Sequence, residues 1–308
     1  MPRPIREALR AARRRYRSAR YRIRERFRPT VLSQADVEAA LRESGLRDGD
    51  ACFMQAAMSS FGAFEEGPDT VLNALTGVVG AGGLIAMPAY SLTGPAIEHL
   101  AADPLFDPLR TPSRMGAISE GFRLMDGTIR SIHPTHSTAI RGGGAEEFAA
   151  GHETASTPFG EGTPFPRIVE RDALQLFFGC GTGAITMYHS FECTRVPPFP
   201  LNVFANRRFD ARCLDRDGNE ITVRSLVHNP ALHPGRIDSN PRLQRVYRDA
   251  ILAAGGCAVQ LGHGEIIAIR LSILFEVFER LVQDGITIYD AEVPAEPPAL
   301  PPQDRVDD

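Results

Sequence analysis

Residues 51 to 88 of this 308-residue chain alternate between short apolar strands and a helix, and this alternation restricts the fold to few classes. Ala51–Gln55 predicts a buried strand, Pro68–Val79 predicts a helix that begins at a proline, and Leu84–Met87 predicts a second strand that another proline ends. A strand, loop, helix and strand in this order are typical of a sheet covered by helices. The pattern therefore predicts an α/β protein.

The rest of the body adds strand and helix signals without an internal repeat. Ser33–Gly49 predicts a short helix with Ser33 as its N-cap, and Phe209–Val223 predicts a hairpin that turns at Asp215–Gly218. Residues 92–127 predict a long irregular connection, which in a compact domain usually carries function. Further predicted elements are the strand Leu174–Gly179 and helices over 240–255 and 270–284. We therefore predict a mixed central sheet covered by helices, with a small β appendage.

The two ends of the chain differ from the body at residues 31–290. Residues 1–30 predict an Arg-rich helical extension, since the first 28 residues hold twelve Arg against two Glu, whereas the whole chain carries a net charge of −4. Such a helix suits an anionic membrane surface, nucleic acid or an acidic partner, or it docks on the acidic body as a solvated extension. Residues 291–308 hold five Pro and end in acids, which predicts a disordered tail.

Composition excludes several classes of function. All 34 basic residues are Arg, so neither a Lys Schiff base nor a phosphate-binding P-loop Lys is available. The five cysteines form no CxxC motif, which predicts reduced thiols. The acidic body has no aromatic-plus-basic motif of a nucleic-acid enzyme, no apolar run of about 20 residues, and no apolar segment of a secretory signal. These features predict a cytoplasmic bacterial protein.

One segment after a buried strand carries three groups suited to acid–base chemistry. If a helix begins near Thr186, then Thr186, His189 and Glu192 share one face, because they are three residues apart. A helix that follows a strand is a common place for an α/β active site. The imidazole would accept a proton, the carboxylate would orient the imidazole, and the hydroxyl would stabilise an oxyanion. Many helices carry such a trio by chance, so the spacing alone leaves a structural role open.

Other chemistries have weaker support. A zinc site is conceivable at His133, His136, His152 and His189, but the first two flank a proline and do not form a helical HExxH pair. A serine nucleophile lacks the GxSxG elbow. A dinucleotide fold lacks GxGxxG after a strand. We therefore predict no metal.

Several short motifs occur in a characteristic order along the chain. They are Phe106–Pro108, Pro112–Ala117, Arg130–Ser137, His152, Thr157–Gly160, Thr163–Phe165 and Thr186-x-x-His189-x-x-Glu192. This order resembles the aminoglycoside 3-N-acetyltransferase family, a group of CoA-dependent acyltransferases with its own α/β fold. The resemblance extends from about residue 33 to 285 and becomes weak after residue 195.

The resemblance implies transfer of an acetyl group from acetyl-CoA to an amine of an aminoglycoside, as in antibiotic resistance. It implies that His189 is the general base, that Glu192 is a nearby site carboxylate, and that Thr186 is a hydroxyl near the thioester carbonyl. It leaves open whether the protein is a monomer or a dimer. The residues implied along CoA are Gln55, Ala56, Ala57, Met58, Arg114, Met115, Gly116, His133 and Ser137.

Two departures from the family keep alternatives open. Gln55–Met58 stands where relatives often have His-Ser-Ser-Leu, which removes hydroxyls that could contact CoA. The region after residue 195 is rich in Arg, which suits an anionic acceptor unless those side chains face solvent or pair with acids. The alternatives are an N-acyltransferase for an amino sugar of a polysaccharide or secondary metabolite, and a non-catalytic CoA- or sugar-binding protein. The Arg residues concerned are Arg195, Arg207, Arg208, Arg236, Arg242, Arg245 and Arg248, with acids at Asp238 and Asp249.

Overall fold

A computed structural model of the chain describes residues 30–92 and 94–290. Its strands are β1 (Val31–Leu32), β2 (Ala51–Ala56), β3 (Ala63–Phe64), β4 (Leu84–Pro88), β5 (Thr128–Arg130), β6 (Thr138–Gly142), β7 (Leu174–Phe178), β8 (Phe204–Leu214), β9 (Glu220–His228), β10 (Cys257–Leu261) and β11 (Gly264–Arg270). Its helices are α1 (Gln34–Glu43), α2 (Pro68–Val79), α3 (Ala96–Ala101), α4 (Ala117–Leu124), α5 (Ala145–Ala149), α6 (Pro164–Glu170), α7 (Met187–Thr194), α8 (Pro241–Ala253) and α9 (Leu271–Gln283).

Seven strands form one mixed sheet in the order β10-β11-β7-β2-β4-β6-β5. The three central strands β7, β2 and β4 are parallel, and antiparallel strands flank them on both sides. Strands β8 and β9 form a separate two-stranded sheet. The predicted α/β class, the mixed central sheet and the β appendage are therefore confirmed.

Two hydrophobic cores lie on opposite faces of this sheet. Phe53 of β2 packs with residues of α6 to α9, whereas its neighbours Cys52 and Met54 pack with α1, α2 and α4. Adjacent strand residues point to opposite faces, and helices cover both, so the central strands are apolar along most of their length. Gln55 and Gln175 are polar residues that are nevertheless buried in these strands.

The strand directions bring distant segments to one edge of the sheet. The carboxyl ends of β2, β4 and β7 meet there because the three strands are parallel. Strand β6 runs the other way, with Thr138 opposite Pro88, so residues 133–137 enter at the same edge. In open α/β sheets, ligands bind beyond the carboxyl ends of the strands.

The local predictions are confirmed with shifted boundaries, and one of them is partly wrong. Ser33 is the N-cap of α1 and forms a capping box with Asp36, but α1 ends six residues before Gly49. The hairpin turns where predicted, but β8 and β9 extend beyond Phe209 and Val223. Residues 92–127 are not wholly irregular: they contain α3 and α4, and α4 buries Ile118 and Phe122 although Ser119 and Gly121 interrupt its apolar pattern.

The predicted Arg-rich extension and Pro-rich tail lie outside the described residues, apart from Thr30. Within residues 30–92 and 94–290, no helix has both the length and the apolar character needed to cross a membrane. The five cysteines are free thiols, as predicted.

Candidate active site

A cavity of about 230 Å³ opens at the carboxyl ends of the parallel strands. This volume is smaller than the ~300–1,000 Å³ of sites that enclose a drug-sized ligand. The cavity can therefore enclose part of a drug-sized ligand but not the whole of it. Its polar and aromatic wall consists of Tyr90, His136, Phe159, Thr186, His189, His228, His233, Arg236 and Asp238.

The three predicted catalytic residues lie together at the N-cap and on the first turns of α7. The loop from β7 turns at Gly179, whose φ of +72° favours glycine. A Cβ at this position would also lie 2.4 Å from the Phe61 ring. Thr186 then occupies the N-cap position of α7, and the backbone N–H of His189 donates to the Thr186 carbonyl at 3.0 Å. Thr186 and His189 line the cavity, with Glu192 behind them. The predicted helix and its shared face are therefore present.

A hydrogen bond joins the His189 ring to the Glu192 carboxylate. His189 Nδ1 lies 2.9 Å from Glu192 Oε2, and the Glu192 side chain is fully buried while that of His189 is 14% exposed. Burial raises the pKa of Glu192, but the His189 charge and the hydrogen bonds outweigh burial and lower that pKa to about 2. An ionised carboxylate only accepts, so the proton of this bond is on Nδ1. Nε2 is then the nitrogen that can accept a proton.

A second histidine contacts the same carboxylate. His228 is the last residue of β9, and its Nε2 lies 3.5 Å from Glu192 Oε2. Its ring centroid is 4.2 Å from that of His189. Burial and the charge of His189 lower the pKa of His228 to about 4, so it is neutral at pH 7. Sequence reasoning missed His228, because a lone histidine in a hairpin has no local signal that links it to α7.

An aromatic wall faces these imidazoles. The Phe159 ring lies 5.1 Å from His189 and 4.7 Å from His136, and Tyr90 packs edge-on against His136 at 4.8 Å. Burial lowers the pKa of His136 well below its usual range. This side of the cavity therefore holds no cation at neutral pH, and its low polarity strengthens charge interactions inside.

The polar partner of Thr186 is Gln55, the penultimate residue of β2. Gln55 Nε2 donates to Thr186 Oγ1 at 2.9 Å, and the Thr186 backbone N–H donates to Gln55 Oε1 at 3.3 Å. The Tyr90 hydroxyl lies on the same wall. Burial raises the pKa of Tyr90 and the adjacent Thr186 hydroxyl lowers it in part. Sequence reasoning named Gln55 as a CoA contact but did not pair it with Thr186.

The other residues predicted to contact CoA lie around the cavity but do not line it. After β2, the Ala57 N–H donates to Phe178 O at 2.8 Å, and Met58 begins a 3-10 turn. Arg114 donates its backbone N–H to Tyr90 O at 2.7 Å. Gly116 is the N-cap of α4. The CoA contacts of Ala56, Ala57, Met58, Arg114, Met115 and Gly116 therefore stay a prediction.

His133 and Ser137 belong to a buried hydrogen-bond network. The backbone N–H of His136 donates to His133 Nδ1 at 3.1 Å, and His133 Nε2 lies 3.3 Å from Ser225 Oγ. Ser137 donates to Ala89 O and accepts from Arg130 Nε, both at 2.9 Å. Both side chains fix the loop before β6, and their contact with CoA also stays a prediction.

The four histidines considered for zinc do not converge. His152 Nδ1 lies 2.8 Å from Ser131 Oγ and its Nε2 lies 3.0 Å from Pro158 O, so both ring nitrogens bond within the protein. In the part of the chain that the structure describes, the one set of potential ligand atoms lying within 4.8 Å of one another belongs to His189, Glu192 and His228. These are the His189–Glu192 pair described above and the histidine that contacts its carboxylate.

Most of the arginines after residue 195 do not face the cavity. Arg195 binds Glu279 through two bonds of 2.7 and 2.8 Å, and Arg248 pairs with Glu265 at 2.7 Å. Arg236 lines the cavity, where its Nε donates to Asp238 at 3.1 Å. The exposed members are Arg207, Arg208, Arg242 and Arg245. The structure thus leaves one arginine of this group beside the reacting centre.

The family model of aminoglycoside 3-N-acetyltransferases matches residues 53–283. The chain is 29% identical over 174 residues to aminoglycoside N(3)-acetyltransferase IX of Micromonospora chalcea, covering 52% of this chain and 62% of the relative. It is 31% identical over 169 residues to enzyme VII of Streptomyces paromomycinus, covering 50% and 58%. The chain thus spans about three fifths of the length of these two relatives. Enzyme III of a Salmonella species is 26% identical over 280 residues, covering 85% and 92%.

Solved structures show the same fold. The aminoglycoside acetyltransferase AAC(3)-Xa superposes with a TM-score of 0.69 at 23% identity, covering 82% of this chain and 93% of that protein. AAC-IIIb, solved as a binary complex with CoASH, gives a TM-score of 0.69 at 24% identity, covering 83% and 97%. The likeness of fold therefore extends over more than four fifths of this chain.

Proposed function

Because this chain belongs to the aminoglycoside 3-N-acetyltransferase family, we propose that it transfers an acetyl group from acetyl-CoA to an amine of an aminoglycoside. One observation carries the proposal: a histidine whose Nδ1 is bound to a buried carboxylate, beside a threonine hydroxyl, on the wall of a cavity at the sheet edge. A base, an orienting acid and a donor for a carbonyl oxygen are the groups that amide formation from a thioester requires.

The proton path starts at the acceptor amine. His189 Nε2 removes a proton from the attacking nitrogen while the new N–C bond forms, and Glu192 stabilises the imidazolium that results. His189 then returns this proton to the sulfur as the C–S bond breaks, so that coenzyme A leaves as the thiol. Atoms and charge balance without a covalent bond to the protein.

Two hydroxyls suit the developing charge on the carbonyl oxygen. Tyr90 Oη is buried and has no hydrogen-bond partner of good geometry within residues 30–92 and 94–290. It lies on the cavity wall with Thr186. A buried, unsatisfied hydroxyl beside a base fits a bound carbonyl. The thioester of acetyl-CoA would supply the activated acetyl group at this place.

The test is thiol release from acetyl-CoA by the purified protein, with mass spectrometry of the product. One panel of acceptors contains 2-deoxystreptamine aminoglycosides, and the other contains amino sugars and their nucleotide-linked forms. Release with the first panel, together with an antibiotic product whose mass has increased by one acetyl group, would support the proposal. No release with aminoglycosides would contradict it.

A second candidate has a specific observation in its favour. Among the described residues on the cavity wall, Asp238 is the sole carboxylate, and it is already paired with Arg236. An amino sugar with one amine and an anionic group would match that pair better than a polycation does. Release with the second panel alone would favour this candidate. Binding of acetyl-CoA without turnover on either panel would indicate a binding protein instead.

A further inference from the structure

The structure assigns Gln55 the role of a positioning residue that aims the Thr186 hydroxyl hydrogen at the acyl carbonyl oxygen. The assignment rests on the proposed function, and it replaces direct contact with CoA as the task of Gln55. Gln55 is 6% exposed and lies 131 residues from Thr186 in the chain, yet its amide contacts both the hydroxyl and the backbone N–H of that residue.

The orientation of the Gln55 amide follows from its neighbours. The Thr186 backbone N–H can only donate, so the Gln55 atom 3.3 Å from it is the oxygen Oε1. Gln175 Nε2 also faces this oxygen, at 3.5 Å, and an amide nitrogen likewise only donates. The Thr186 N–H and the Gln175 amide nitrogen both face Oε1, and these two donors fix the orientation of the Gln55 amide. A flipped amide would place its own NH₂ group against them.

The fixed amide determines the direction of the Thr186 hydroxyl. With Oε1 on the backbone side, Nε2 faces Thr186 Oγ1 at 2.9 Å and donates to it. Thr186 Oγ1 is therefore an acceptor in this bond, and its own hydrogen points elsewhere. Thr186 and Tyr90 both line the cavity in which the acyl group would lie. The hydroxyl is thus a preorganised donor, which is the property that lowers the barrier at an oxyanion.

Only a side chain with one donor and one acceptor at this distance performs the task. Gln55→Glu keeps the shape but presents two acceptors, so the Thr186 hydroxyl would turn and donate to the new carboxylate. Gln55→Met keeps the volume and removes both bonds, so the hydroxyl would rotate freely. Gln55→Glu would therefore turn the Thr186 hydroxyl hydrogen away from the cavity, whereas Gln55→Met would leave its direction unfixed.

The experiment compares kcat and KM of both variants with those of Thr186→Val and of the Gln55→Glu/Thr186→Val double variant, in the full chain. We expect Gln55→Glu to lower kcat by about 10²–10³-fold, as the loss of one oxyanion donor does, with KM for acetyl-CoA within about threefold, as befits loss of an interaction made only in the transition state. Gln55→Met should lose less. The double variant should be no slower than Thr186→Val, since the two residues act as one unit.

Opposite results overturn the assignment. Unchanged kcat with a raised KM for acetyl-CoA would mean that Gln55 contacts CoA directly. Multiplying losses in the double variant would mean that Gln55 acts apart from Thr186. If the wild-type protein releases no thiol with any acceptor, the proposed function fails. Urea unfolding of the wild type, Gln55→Glu, Thr186→Val and the double variant then tests the coupling of Gln55 with Thr186, because additive destabilisation would contradict it and non-additive destabilisation would support it.

Discussion

Glu192 holds the His189 ring through one hydrogen bond of 2.9 Å between residues three apart on a single helix. The bond fixes the tautomer, so that Nδ1 carries the proton and Nε2 can accept one at the cavity. The carboxylate is fully buried and ionised, and the imidazolium formed during the reaction would remain beside its counter-charge. A short local spacing thus creates a base that is both oriented and charge-stabilised.

Glu192→Gln should lower kcat by about 10²–10⁴-fold, the range of a positioned acid–base group. The amide keeps the volume of the side chain but cannot stabilise an imidazolium by charge. Steady-state thiol release at pH 7.5 measures the loss. Circular dichroism of the same sample checks that the variant is folded. A kcat within threefold of wild type would remove Glu192 from the mechanism.

His228 Nε2 lies 3.5 Å from Glu192 Oε2, and two substitutions separate the effect of this nitrogen from that of the ring. His228→Gln places an amide nitrogen at the same number of bonds from the backbone as Nε2, whereas His228→Phe keeps an aromatic ring without a donor. We expect the Phe variant to lose about tenfold in kcat and the Gln variant to lose less, because an amide N–H at this place can still donate to the buried carboxylate. Equal losses in both variants would assign His228 a packing role.

Arg195 and Arg236 should behave differently, although sequence reasoning grouped them as acceptor-side charges. Arg195→Gln breaks a bidentate pair with Glu279 that links the end of α7 to α9, and should cost about 1 kcal/mol of unfolding free energy. The KM of Arg195→Gln for the acceptor should not change, because Arg195 does not line the cavity. Arg236→Gln alters the cavity wall and should change that KM severalfold. Urea unfolding and acceptor titrations measure both effects, and the reverse pattern would contradict the placement of these charges.

Acid should destabilise the fold through its buried histidines. Burial lowers the pKa of His152 to about 3 from 6.5, so between these values the unfolded chain binds a proton that the folded chain does not. This contribution is complete above pH 6.5 and is lost as pH falls, with a slope that approaches about 1.4 kcal/mol per pH unit. Burial lowers the pKa values of His133 and His136 in the same direction.

His152→Gln tests this linkage, since its amide can still donate to Pro158 O. Urea unfolding at pH 7 and pH 5.5 should show that the variant loses less stability on acidification than the wild type. His99→Gln is the control, because His99 is less buried. Equal slopes in the wild type and the His152 variant would show that His152 titrates normally in the folded protein.

The sequence predicted correctly those features that depend on residues close to one another in the chain. Ser33 as an N-cap and Pro68 as a helix start depend on neighbours within four residues, and both occur as predicted. The shared face of Thr186, His189 and Glu192 follows from helical spacing alone, once the helix is placed.

The rest of the site depends on tertiary contacts that spacing does not encode. His228 reaches Glu192 because a hairpin folds over the sheet edge, and Gln55 reaches Thr186 because β2 and β7 are parallel neighbours. Strands β10 and β11 were not predicted. They form an antiparallel pair, so no helix connects them, and the strand–helix–strand pattern that indicates parallel strands is absent. Helix α4 escaped because glycine and serine dilute its apolar face.

The most direct test of the account is the turnover of His189→Gln. Thiol release from acetyl-CoA with an aminoglycoside acceptor is measured beside acetyl-CoA binding by calorimetry, for the wild type and the variant. The account predicts a kcat at least about 10²-fold lower in the variant, the contribution of a general base, with acetyl-CoA affinity within about threefold, since binding the donor needs no proton transfer. A variant that turns over at the wild-type rate would contradict the assignment of His189 as the base.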